Sequence, residues 1–324
     1  MSLYRNITWY MKGLREYTKN GYEIASKNFN SSDLDVDIGH RSYMITGANR
    51  GLGLFVALAI AKKGATVHIV CRNKENGMEA QKNIQEQSLN QKVHLHVLDL
   101  SKPGDIMAFT KKFTNDGQAL NVLINNAGVL VSGDKRQVTA DGIETTFATN
   151  TLGVHILTLG LLPVLKNNED PRVVIVSSGG MLVQKLDIRD LQFENMSKFD
   201  GTMAYAQTKR QEVVMASQYA KIYPEIYFSS MHPGWADTPG TQSSLPDFYT
   251  KMKDRLRSEE QGADTIIWLA ISPAATKLDS GLFFQDRKPA PTHLPLAWTK
   301  SSSTDEQALM DKLAELFQQF TTVH

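Results

Sequence analysis

From Arg41 onward the chain alternates short apolar runs with longer segments of mixed polarity. The runs RSYMIT, ATVHIVC, KVHLHVLDL, LNVLINNAG, RVVIVSS and EIYFSSMHPG are rich in β-branched or aromatic residues and bounded by turn or cap residues, the pattern of buried parallel strands. Between them, segments 51–63, 75–88, 105–115, 150–166 and 204–222 have helical length and composition. Repetition of strand and helix predicts an α/β fold with a doubly wound parallel sheet of Rossmann type. SGLFFQDR predicts a last strand. STDEQALMDKLAELFQQF predicts a terminal helix, with Ser303 and Glu306 at capping-box spacing and Leu309, Leu313, Leu316, Phe317 and Phe320 on one stripe. The expected organisation is an N-terminal amphipathic extension (1–38), one domain carrying the sheet (39–290), and a tail with its helix (291–324). Residues 243–260 depart from the rhythm and predict a mobile lid or substrate loop.

Ahead of the sheet, Leu3, Ile7, Tyr10, Leu14 and Tyr17 fall on one helical stripe, with Arg5, Lys12, Arg15 and Lys19 as its polar complement. Such a stripe either packs on the domain, or makes peripheral membrane contact or targets an organelle through residues 1–25. Arg5, Asn6 and Thr8 interrupt any secretory apolar core, so the expected location is intracellular, cytoplasmic or membrane-peripheral, and not secreted. The run from Thr151 to Leu165 contains His155 and Pro163 and is too short to cross a bilayer, so it reads as a buried helix.

In 324 residues, 41% hydrophobic content supports a sizeable core, and a formal net charge of +1 leaves no footprint for nucleic acid. The single cysteine, Cys71, excludes an intramolecular disulfide framework. His94 and His96 share a strand face as ordinary strand residues, and no metal site is expected.

The candidate chemistry begins where the first strand ends in TGANRGLG. Gly47, Gly51 and Gly53 lie at the turn into a helix, where small residues let a dinucleotide pyrophosphate approach the backbone. At the end of the second strand an NAD site would place an acid on the ribose hydroxyls, but the chain has Cys71, Arg72 and Asn73 there. Arg72, assisted by Arg50, suits a 2′-phosphate instead, which favours NADP(H) over NAD(H). Farther along, MAYAQTKRQ puts Tyr205 and Lys209 four positions apart on one helix face, where a phenol and an ammonium can act on one bound group.

With LDLS, NNAG, NTLG, VSSGG, YAQTK and HPGWADT following the glycine turn in order, residues 41–286 resemble the short-chain dehydrogenase/reductase family, in its retinol-dehydrogenase-like branch. The resemblance implies a catalytic set of Asn150, Ser178, Tyr205 and Lys209. In it Tyr205 is the general acid/base, and Lys209 lowers the phenol's pKa and reaches the nicotinamide ribose. Ser178 holds the substrate oxygen, with Ser177 the adjacent alternative, and Asn150, at the start of its helix, supports a water leading from Lys209 to solvent. For the cofactor it implies Gly47, Asn49, Arg50, Gly51, Leu52, Gly53, Arg72, Asp99, Leu100, Asn126, Ala127, Gly128, Tyr205, Lys209 and Thr238. Ser178 and Tyr205 stand 27 positions apart, so residues 181–202 are expected to form an extra loop near the substrate. The expected activity is an NADP-dependent carbonyl reductase or alcohol dehydrogenase for a mostly apolar aldehyde, ketone or alcohol. Its apolar wall would come from Met181, Leu182, Val183, Trp235, Phe248 and Tyr249. The alternatives are a non-catalytic dinucleotide-binding sensor and a membrane-peripheral scaffold. The resemblance leaves the oligomeric state open: the helices beginning at Asn150 and Ala204 are those the family uses to form a homodimer, and the N-terminal segment could cover the same face.

Overall fold

The apolar runs become strands of one sheet because most of their residues are buried on both faces. In the computed structural model residues 3–321 are described, so the first two residues of the extension and the last three of the tail lie outside them. The strands are β1 (Ser42–Thr46), β2 (Thr66–Cys71), β3 (Val93–Val97), β4 (Val122–Asn125), β5 (Arg172–Val176), β6 (Tyr227–Met231), β7 (Phe283–Gln285) and β8 (Lys288–Pro289). Their spatial order is β3-β2-β1-β4-β5-β6-β7-β8. Every pair through β7 is parallel, and β8 folds back antiparallel on β7.

The helices in chain order are α1 (Leu3–Glu16), α2 (Lys19–Ser26), α3 (Gly51–Lys62), α4 (Lys74–Ser88), α5 (Pro103–Asn115), α6 (Thr145–Phe147) and α7 (Gly153–Lys166). They continue with α8 (Gly201–Ile222), α9 (Pro239–Ser244), α10 (Pro246–Met252), α11 (Glu259–Ile271) and α12 (Ser303–Thr321). Helices α3, α4 and α11 cover one sheet face around Ile45, Ile60, Ile69, Ile124 and Ile267. The other face is packed by α5, α7, α8 and α12 around Leu123, Leu157, Val173, Met215 and Leu309.

Four expectations change. The helix expected from residue 150 begins earlier: α6, a π turn (Ala148–Leu152) and α7 run on as one helix from Thr145 to Lys166. That helix is long and apolar enough to cross a membrane, but 83% of its apolar window is buried inside the fold, which makes it a core helix. At α12 the cap is Ser302 instead of Ser303, its Oγ accepting from the Asp305 N–H at 3.1 Å. The face of α7 and α8 expected to pair two copies or lie under the N-terminal segment is covered by α12, with Phe317 edge-on to His155 and Gln218 bonded to Glu306. Residues 243–260 are largely helical, because Pro239 and Pro246 open α9 and α10 at their first turns and Ser258 with Gln261 forms a capping box for α11.

The N-terminal stripe divides along its length. Leu14 and Tyr17 pack on the domain, and Tyr17 is fully buried. Leu3, Ile7 and Tyr10 stay 75%, 54% and 42% exposed.

Candidate active site

The sheet's carboxyl ends open into a cleft of about 390 Å³. Its floor is the glycine turn. Gly47 and Gly51 have φ of +66° and +59°, a backbone region that side chains disfavour. A Cβ on Gly53 would lie 2.5 Å from the Gly47 carbonyl oxygen, so only glycine lets α3 start so close to β1. Thr46, which the sequence did not single out, fastens this floor to β4. Its hydroxyl accepts from the N–H groups of Asn126 at 3.0 Å and Ala127 at 2.9 Å, and the Asn126 amide returns a bond to the Thr46 carbonyl at 2.9 Å.

All the expected cofactor residues line this cleft: Gly47 and Asn49 to Gly53, Arg72, Asp99, Leu100, Asn126 to Gly128, Tyr205, Lys209 and Thr238. Arg50 gives α3 no side-chain cap, and it is exposed, like Arg72 beyond the end of β2. Among the described residues neither guanidinium forms an ion pair. An uncapped helix start beside two unpaired cations fits a phosphate-bearing dinucleotide.

At the other end stand Tyr205 and Lys209. Helix α8 is started by Asp200, whose carboxylate accepts from the N–H groups of Thr202 and Met203, both at 3.0 Å. The Lys209 Nζ lies 5.5 Å from the Tyr205 ring centre and donates to the Val176 carbonyl at 2.9 Å and to Glu212 Oε1 at 2.8 Å. Glu212 is a second residue the sequence reading missed. It sits three positions past Lys209, fully buried, with its other carboxylate oxygen unpartnered among the described residues. Burial pushes its pKa up to about 7 against the pull of Lys209.

The expected pull of Lys209 on the phenol is present, but other groups oppose it. Burial raises the Tyr205 pKa, and the negative end of Glu212 adds to that. Lys209 and the neighbouring Ser178 hydroxyl act in the opposite direction without winning. Burial also works against the Lys209 charge, but attraction to Glu212 and Tyr205 leaves its pKa raised.

The two serines after β5 separate cleanly. Ser178 is partly exposed to the cleft, whereas the Ser177 hydroxyl is buried and donates to the Lys209 carbonyl at 2.7 Å. Asn150 lies behind the cleft wall and not at a helix start. From the π turn its amide bonds both backbone groups of Val129, at 2.8 and 2.9 Å, and donates to Thr208 Oγ1 at 3.1 Å. The extra loop places Met181 and Leu182 in a hydrophobic cluster, with Tyr249 packed against it, and buries Val183. These four do not line the cleft, so of the expected apolar wall only Trp235 and Phe248 face it, with their rings edge-on at 5.2 Å.

Residues 41–187 match the family model for short chain dehydrogenase. Over 320 residues the chain is 55% identical to "Dehydrogenase/reductase SDR family member 12" of Bos taurus, covering 99% of this chain and 100% of that protein. The chain belongs to the short-chain dehydrogenase/reductase family. Membership implies NAD(P)-dependent oxidoreductase chemistry on a small molecule. Within the family it is also 33% identical over 258 residues to "Retinol dehydrogenase 12" of Mus musculus, across 78% of this chain and 80% of that one. A solved short chain dehydrogenase from Escherichia coli CFT073, complexed with NADPH, shares the fold with a TM-score of 0.62 at 22% identity, covering 80% of this chain and 100% of that one.

Proposed function

We propose that the protein is an NADP(H)-dependent carbonyl reductase or alcohol dehydrogenase for a mostly apolar small molecule, with Tyr205 as general acid/base. The observation that carries this reading is the convergence of Tyr205, Lys209 and Ser178 on the cleft that also holds the glycine turn and two arginines with no ion pair among the described residues. A bound nicotinamide would supply or accept the hydride, and in its oxidised form its positive charge would add to the pull on the phenol. Ser178 donates a hydrogen bond to the carbonyl oxygen and orients it. Tyr205 gives that oxygen a proton during reduction and takes one during oxidation. Two of the Lys209 N–H groups are held by Val176 and Glu212, which fixes the ammonium beside the phenol and leaves its remaining donor for the ribose. Arg72 and Arg50 favour the 2′-phosphate of NADP(H), and Trp235 and Phe248 favour an apolar substrate.

The test is turnover of a panel of aldehydes, ketones and alcohols with each cofactor pair, wild type beside Tyr205→Phe. Equal rates in the two proteins would sink the general-acid role, and a preference for NADH over NADPH would remove the role of Arg72.

A second observation favours peripheral membrane contact. Exposed Leu3, Ile7 and Met11 on α1 adjoin exposed Leu296 and Trp298, because Tyr4 donates to the Pro295 carbonyl at 3.0 Å and Arg5 to that of Ala297 at 2.7 Å. Cosedimentation with phosphatidylserine-containing vesicles, lost in a Leu3→Glu, Ile7→Glu double variant, is the expected result. Equal sedimentation of both proteins would count against it.

A further inference from the structure

The N-terminal helices are fastened to the part of the domain that would meet the substrate, at several points and with buried groups. Trp9 donates its indole N–H to the carbonyl of Gly179 at 2.7 Å, one residue past Ser178. Space around Gly179 is tight: a Cβ there would lie 3.0 Å from ring atoms of both Tyr17 and His232. On the opposite wall the Trp235 N–H donates to the Tyr17 carbonyl at 2.8 Å. The Trp235 ring packs edge-on to Trp9 at 5.6 Å and to Tyr17 at 5.7 Å. It lies so close over Gly13 that a Cβ there would be 2.2 Å from it. Beneath these contacts the buried Arg257 reaches three segments. It donates to the carbonyls of Glu16 at 2.7 Å and of Thr18 and Pro233, both at 3.3 Å, while Asp286 holds its guanidinium at 2.7 and 3.0 Å.

We propose that residues 9–18 of the extension are a positioning element of the active site, setting Ser178 through the Trp9–Gly179 bond and the Trp235 wall through Gly13 and Tyr17. The proposal rests on the reductase reading above. Its physical basis is that Gly179 and Trp235 sit beyond the ends of β5 and β6, held by a short 3-10 turn (Gly179–Val183) and by a single bridge between Ala236 and Arg257, which leave more freedom than a strand ladder does. A hydrogen bond and close ring packing from a docked helix remove that freedom before substrate arrives, and catalysis is sensitive to small displacements of groups that hold the reacting atoms. Among the described residues the glycine turn, Arg50 and Arg72 receive no such hydrogen bond from the extension, so the effect should be confined to the substrate end.

The experiment uses the full chain with Trp9→Phe, which removes the indole N–H and keeps a ring, and Gly13→Ala, which displaces the Trp235 ring. Reduction of octanal by NADPH, NADPH affinity by fluorescence titration, thermal midpoint and amide hydrogen exchange are measured for each. For Trp9→Phe the expected result is a fall in kcat of about tenfold, roughly 1.4 kcal/mol of transition-state stabilisation. NADPH affinity should stay within about twofold, and for Gly13→Ala the larger change should be in KM for octanal. Exchange should quicken in residues 177–184 and 232–237 and stay unchanged in residues 42–60. Unchanged kcat and KM in both variants would overturn the proposal, as would a joint fall of kcat, NADPH affinity and thermal midpoint. If the wild type reduces no carbonyl with either cofactor, the reductase reading fails by itself. The positioning proposal is then decided by exchange: local quickening upholds it, and none or a chain-wide change overturns it.

Discussion

The two ends of the cleft are built by different means. At the cofactor end the chain offers backbone shape and unpaired charge: a glycine turn, an uncapped helix start, and two exposed guanidinium groups. At the substrate end it buries its charges and pairs them, Lys209 with Glu212 and Arg257 with Asp286, and walls them with rings from distant segments. A phosphate-bearing ligand brings its own charge, so the first site needs donors left free. Proton transfer needs one group held at one place and one acidity, so the second needs neighbours that restrain it.

The contrast breaks most severely at the phenol. Tyr205→Phe is expected to lower turnover by about 10³-fold while NADPH affinity by fluorescence titration changes less than twofold. Next in size is the buried ion pair: Arg257→Ala leaves Asp286 without its partner and frees the carbonyls of Glu16 and Thr18. Breaking a buried pair by removing one partner costs about 3–5 kcal/mol, and the denaturant midpoint should fall accordingly. At the open end, Arg72→Ala should weaken NADPH binding by roughly 10- to 100-fold, the size of one or two charge-assisted hydrogen bonds, and leave NADH affinity unaltered. A loss shared equally by both cofactors would erase the distinction between the two ends.

The smallest effect concerns Glu212, whose pKa burial has raised to about 7 from the usual 4.5. Between those values the folded protein holds a proton that the unfolded chain releases, so stability falls as pH rises through that window. Glu212→Gln should therefore flatten the loss of stability between pH 4.5 and 7, measured by denaturant unfolding. Because ionised Glu212 raises the Tyr205 pKa, the same variant should move the alkaline limb of the reduction profile to lower pH. A shift in the other direction would mean that Glu212 acts through something besides its charge.

The sequence by itself determined the succession of strands and helices, the glycine turn, the arginine after β2 where an NAD site would have an acid, and the phenol and ammonium on one helix face. These are local facts: strand burial, a left-handed turn and a four-residue helical repeat are written within a few neighbouring residues. Glu212 was legible in the same way, three positions past Lys209, but its burial was not, since that depends on the elements packed around α8. The tertiary structure alone decided that Met181, Leu182, Val183 and Tyr249 stay off the cleft while Trp235 faces it, and that Asn150 braces Val129 from behind. It alone brought Trp9 to Gly179 and Arg257 to Glu16, across 170 and 241 positions of chain. Periodicity marks which face of a helix is apolar, but what that face meets is set by packing between segments far apart in sequence.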